Sequence, residues 1–322
     1  MKKRWLLICA AAFSFMLSAC GSFLVPAGDT VPAVNLGEKA QTDVIAEAPP
    51  AAEREELKLA VPTEVTVFHL ETLQSMTQYC RDVSLVLFPA EAVGGQESLL
   101  ASGLYGFDLL LADIAVLRDL VPEMGASGEP FRFRDLTEAR AFMESEEQEE
   151  AEEKLKEYGL RVLGYTDNGF RVMSNSLRPI EQPEDLNGLR IAVPTFSAFS
   201  ESLQELGAEA VELPLENLYP GLQTGAVDGQ ESFLPLYEEL RLYEVQHYLT
   251  VTNHVYGGMC LLIREESWNA LPEIIQEELA MAAEKALSED QKGMEAELER
   301  ILSGLEAKGM HVSRPECFSG RN

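Results

Sequence analysis

The hydrophobic pattern divides the chain into short strands and intervening helices. Leu57–Val61 alternates apolar and polar positions, as a strand with one buried face does. Val65–Arg81 follows with helical spacing. Val83–Phe88 is a second strand, stopped by Pro89. Gln96–Ser102 is helical, with Gly103 behind it, and Phe107–Ala112 is apolar enough for a buried strand. Leu136–Tyr158 reads as one helix. Its acidic run from Glu144 to Glu157 fits a solvated face, and lacks the glycine and spacing of a calcium loop.

The pattern recurs from Arg171 to Ser232. Pro183-Glu184-Asp185-Leu186 has proline and acids where the first turn of a helix favours them, and Asn187-Gly188 ends the turn. Leu189, Ile191 and Val193 share one face of a strand that Pro194 stops. Ser197–Leu206 reads as a helix closed by Gly207. Ala210–Leu213 is a strand, Leu215–Leu222 a helix weakened by Pro220, and Ala226–Asp228 a third strand. Alternating strands and helices imply parallel sheets, which take ligands outside the carboxyl ends of their strands. The places to look are therefore just after Val193, Leu213 and Asp228.

Downstream, Tyr237–Leu249 reads as a helix, and Thr250–Leu262 as strand-like with a flexible Gly257-Gly258. Pro272–Lys308 keeps helical periodicity long enough to span about 55 Å. Gly293 is the point where it would bend or break. Irregular heptads argue against a coiled coil and for a helix that bridges two lobes.

Composition narrows the function. The 322 residues contain 25 Lys+Arg and 54 Asp+Glu, a formal charge of −29. That charge excludes a nucleic-acid partner and electrostatic adhesion to anionic lipid. Lys2-Lys3-Arg4 precedes the apolar run Trp5–Leu17, which is too short to span a membrane. The run ends at Leu17-Ser18-Ala19-Cys20, which resembles a bacterial lipoprotein box. The expectation is a signal peptide over 1–19, a lipid on Cys20, and a flexible tether over 20–56, rich in Pro, Ala, Gly and acids. Cys80, Cys260 and Cys317 fit no metal motif, and their pairing is open. The four histidines and the remaining sequence form no hydrolase, P-loop or dinucleotide fingerprint, so neither an enzyme nor a cofactor is expected.

Several runs then occur in a telling order: Gly169-Phe170-Arg171, PEDLNGLRIAVP, LENLY, LQTGAVDGQES, YEVQHYL and Thr252-Asn253-His254. Together they resemble the extracytoplasmic solute receptors of TRAP transporters, the DctP-like family, over most of the chain from Leu57. The resemblance implies an α/β, two-lobed periplasmic-binding-protein-like fold, each lobe a mixed, mostly parallel sheet flanked by helices. One lobe would be 57–168 plus 258–285, the other 169–257 plus 286–322, with the long helix bridging them. The implied function is capture of a small solute, organic acids included, and its delivery to membrane permease subunits from outside the cell membrane. The alternative is a lipid-anchored sensing subunit for a signalling partner.

By the same resemblance Arg171 lies in the cleft, where its planar fork can bind a carboxylate. The family's second clamp arginine is replaced by Ala192. Arg190 lies about 6–7 Å back along the strand and is no simple substitute. Leu215 stands where an aromatic ring often packs on ligand, Ser232 stands where asparagine commonly follows Gln-Glu, and Gln230 is counted with them among the expected ligand residues. Asp113 either faces ligand or caps the helix that follows. These departures predict a retained fold with altered recognition, open to an uncharged, cationic or differently oriented ligand.

Overall fold

The structure, a computed structural model, describes residues 54–62, 65–80, 82–194 and 199–318. The expected signal peptide, Cys20 and nearly all of the expected tether lie outside the described residues. The tether's last two residues instead begin the first strand.

Among the described residues ten strands follow in chain order: β1 Glu55–Val61, β2 Val83–Pro89, β3 Leu109–Asp113, β4 Leu160–Asn175, β5 Arg190–Val193, β6 Glu209–Glu212, β7 Gly229–Phe233, β8 Tyr248–Thr250, β9 Tyr256–Arg264 and β10 His311–Ser313. They form a mixed sheet ordered β2-β1-β3-β9-β4-β7-β5-β6, with β8 on β4 and β10 on β8. β1 runs parallel to β2 and β3, and β5 parallel to β6 and β7. The two parallel groups meet through β9 and β4, each antiparallel to its neighbours.

Burial separates two halves along this sheet. Leu57, Leu59, Leu109, Leu111, Leu261 and Ile263 face one core; Ala60, Leu110, Ala112, Cys260 and Leu262 face another across the same strands. In the second half Leu189, Ile191 and Val193 share a core with Met173, as their alternation predicts, while Val172 and Ala192 face the opposite side. The long helix spans Glu273–Ala307, about 52 Å. Leu279, Ala283 and Leu287 enter a core of the first half; Ile301, Leu302 and Leu305 enter one of the second. Gly293 does not break it. A Cβ there would sit 2.9 Å from Cζ of Phe68, so glycine lets the helix Val67–Tyr79 approach closely.

Several expected elements need correction. Leu136–Tyr158 is two helices, Leu136–Met143 and Glu146–Lys156, because Ser145 caps the second by accepting from the Gln148 amide. Ala226–Asp228 is a turn, and the strand begins at Gly229. Arg190 explains the offset: it binds the carbonyl of Ala226 and the carboxylate of Asp228 before the sheet resumes. The helix expected over Tyr237–Leu249 ends at Glu239, near Arg241 in the left-handed region (φ 56°), and β8 takes its last residues. β4 has no counterpart in the pattern reading. Thr166 to Asn175 is buried continuously, polar residues included, so both faces are covered and alternation vanishes.

Candidate functional site

β5, β6 and β7 point their carboxyl ends the same way, and the antiparallel β4 brings Arg171 opposite Phe233 at that edge. A cavity of about 110 Å³ opens there. Arg171, Ala192, Leu215 and Ser232, four of the six expected ligand residues, line it, with Val193, Leu213 and Leu218 beside them. Sheet topology thus gathers positions separated by as many as 61 residues.

Arg171 is held from three sides. Its Nε donates to Glu231 Oε2, an Nη donates to the Glu231 carbonyl at 3.3 Å, and the guanidinium lies 4.4 Å over the Phe233 ring. His254 Nε2 lies 3.3 Å from the same Glu231 oxygen, and its Nδ1 lies 2.6 Å from the Thr252 hydroxyl. Burial alone would raise the Glu231 carboxyl. The adjacent Arg171 and His254 more than offset that and hold it below the usual carboxylate range. Burial lowers the His254 imidazole, with a smaller push from Arg171, against the pull of Glu231. A neutral ring with its proton on Nε2 satisfies both contacts: Nε2–H donates to Glu231 and Nδ1 accepts from Thr252. Phe199 stacks on that ring at 4.2 Å between centroids. Glu231 Oε1 is buried and has no hydrogen-bond partner among the described residues.

The other two expected ligand residues do not line the cavity. Gln230 is fully buried and donates to Ser174 Oγ at 3.0 Å, which donates on to Gln246. Asp113 ends β3 and accepts from the Ala115 amide at 2.8 Å, so the capping alternative is realised. β9 carries Met259 opposite Asp113, and Val255, just before that strand begins, lies beside Arg171, which puts the two about 13 Å apart along the chain. Arg190 is turned to the amino end of β5, in a two-point contact with Asp228 at 3.0 and 2.6 Å. It supplies no second cation.

Pattern reading passed over Glu231 and named His254 only within the run Thr252-Asn253-His254. Period-two alternation places Arg171, Glu231 and Phe233 on one sheet face once β4 is paired with β7. Without β4 that signal could not be read. A larger cavity, about 360 Å³, lies among Leu136, Phe170, Leu234, Val251 and Leu298. Its acids, Asp135 and Glu295, are already bonded to the Glu138 amide and to Arg140. Among the described residues no cluster of His, Cys, Asp and Glu could hold a metal, and no helix is long and apolar enough to cross a membrane. Cys80 and Cys260 are buried free thiols and Cys317 an exposed one.

Comparison with known proteins places this geometry. The family model for bacterial extracellular solute-binding protein family 7, DctP, matches residues 81–317. The 2,3-diketo-L-gulonate-binding periplasmic protein YiaO of Escherichia coli K12 is 28% identical over 233 residues, 72% of this chain and 71% of that protein. The sialic acid-binding periplasmic protein SiaP of Vibrio cholerae is 29% identical over 251 residues, 76% of each. A TRAP periplasmic solute-binding protein from Polaromonas sp. JS666, solved with D-erythronate, superposes with a TM-score of 0.71 at 28% identity, covering 82% of this chain and 89% of its own. These relatives are solute-binding proteins, not enzymes.

Proposed function

The chain belongs to bacterial extracellular solute-binding protein family 7, and on that premise we propose that it captures a small solute at the Arg171 cavity and hands it to the membrane subunits of a TRAP-type transporter. The observation that carries the reading is the buried Arg171–Glu231 pair beside a cavity at the carboxyl ends of β5 and β7. Parallel strands of an open sheet present their ligand sites there. No chemical step is required. Closure would come from bending where β4, β9 and the long helix pass from one half of the molecule to the other.

The relatives named above carry acids in their names or complexes: 2,3-diketo-L-gulonate, sialic acid and D-erythronate. This cavity departs from such a clamp, because Ala192 brings no charge and Arg171 is already neutralised. Recognition therefore differs from theirs while capture is retained. Cys20 would hold the receptor at the outer face of the membrane, at the end of its tether.

The test is reconstitution. The full chain is added to proteoliposomes containing TRAP permease subunits. Uptake of a solute that it binds should require the chain. Binding without any uptake would refute delivery, and absence of any bound solute would refute capture. Cys20→Ala should move the protein from the membrane fraction to the soluble fraction; continued membrane retention would refute the anchor.

A further inference from the structure

We propose that the solute is electroneutral, with a hydrogen-bond donor and acceptor side by side at its head, as in a primary amide or an α-amino acid zwitterion, and a compact aliphatic body. This rests on the solute-capture reading above and specifies what that site takes.

The charge balance comes first. Among the described residues lining the cavity, Arg171 is the one cation and Glu231 the one acid, and the two are paired. Arg190 is committed to Asp228 on the far end of its strand. A solute carboxylate would enter a site whose net charge is already zero, and would bring an acid up to Glu231. Desolvating an ion without a counter-charge is costly, so the arrangement selects against anions.

The second observation is an unmet hydrogen bond. Glu231 Oε2 receives Arg171 and His254, while Oε1 is buried with no partner among the described residues. An ionised carboxylate oxygen only accepts, so an N–H or O–H brought beside it, and not a second carboxylate, would satisfy it. A carboxylate solute has none to offer at its head. An amide or an ammonium does, and its neighbouring oxygen can accept from the guanidinium of Arg171. Both head groups share this chemistry, and direct comparison separates them.

The third observation is the wall. Ala192, Val193, Leu213, Leu215, Leu218 and Leu236 surround the rest of the cavity. The hydroxyl of Ser232 is turned to the Phe233 carbonyl at 3.4 Å. A polyhydroxylated acid would leave hydroxyls against aliphatic carbon, each costing about tenfold in affinity. Each added methylene of an aliphatic body should instead gain about fourfold until the space is filled.

The experiment is isothermal titration of the full chain with four probes: 4-methylpentanamide, L-leucine, 4-methylpentanoate and D-glucuronate. The amide or leucine should bind at least about tenfold more tightly than the carboxylate of the same shape, a difference of about 1.4 kcal/mol. Whichever of the two binds more tightly identifies the head group. Propanamide and butanamide should weaken stepwise. Ala192→Arg should raise affinity for 4-methylpentanoate at the expense of the amide. If that variant does not fold, the wild-type comparison decides alone. Tighter binding of 4-methylpentanoate or D-glucuronate to the wild-type chain would overturn the inference and leave solute capture standing. No binding by any probe would overturn the inference, and solute capture would then be decided by the uptake test above.

Discussion

Glu231→Gln tests how the candidate site is held together. The side chain of Glu231 is fully buried, and that of Arg171 nearly so. Glutamine preserves shape and keeps an oxygen to accept from Arg171 Nε and His254 Nε2, so the substitution removes little besides charge. Removing one partner of a buried ion pair costs about 3–5 kcal/mol, because the other charge is left uncompensated. The retained acceptor argues for the lower end, about 3 kcal/mol. At about 2 °C per kcal/mol for a domain of this size, Tm should fall by about 6 °C. Arg171→Met should be destabilised as well. The double variant should then be more stable than the sum of the two singles predicts, by at least about 1.5 kcal/mol. Urea unfolding with circular dichroism, at fixed pH and salt, measures all four proteins. A single variant within about 0.5 kcal/mol of wild type, or strictly additive losses, would refute the claim that Arg171 and Glu231 act as a buried unit.

Other consequences follow from neighbouring residues. A Cβ at Gly257 would lie 2.2 Å from Cε1 of Phe233, the ring under Arg171, so Gly257→Ala should cost about 1–3 kcal/mol and weaken binding; an unchanged urea midpoint would contradict that close approach. His254 is buried with its pKa lowered, so the unfolded chain takes up a proton that the native state refuses as pH falls below the ordinary histidine value of 6.5. Stability contributed by the neutral ring is therefore full above that pH and declines below it, with a slope of at most about 1.4 kcal/mol per pH unit. His254→Gln should flatten the decline between pH 6.5 and 5, and an identical slope would count against it. The lowered pKa of Glu231 adds a separate loss further down, as pH drops through and below its ordinary value of 4.5. Asp113→Ala should cost about 1 kcal/mol and Asp113→Asn almost nothing, since both Asp and Asn cap helices well. Solute affinity should be the same in Asp113→Asn; a tenfold loss there would restore Asp113 as a ligand contact.

The sequence carried the architecture because most elements bury one face. Leu189, Ile191 and Val193 alternate and share a core, and the long helix repeats its apolar positions from Leu279 to Leu305. At Asp113 the sequence left a cap and a ligand contact equally open, and only the structure shows its carboxylate accepting from the Ala115 amide. What escaped was buried on both sides or decided by a partner distant in sequence. β4 hides Asp167, Asn168, Arg171 and Asn175 in the interior, so its polar residues imitate a loop. Gly293 resembles a helix breaker until Phe68 is seen against it. For the site, Arg171 and the uncharged position 192 were readable one residue at a time. The neutralisation of Arg171 was not, because Glu231 lies sixty residues away and meets it only through strand pairing.

The most direct measurement is the identity of what leaves with the protein. Wild-type chain, purified without exhaustive dialysis, is denatured and the released small molecules are analysed by mass spectrometry beside Leu215→Trp, whose ring fills the cavity. One compound should appear in near-stoichiometric amount from wild type and be missing from the filled variant. Equal release from both proteins, or none from wild type under any growth condition, would contradict a solute held between Arg171 and position 192.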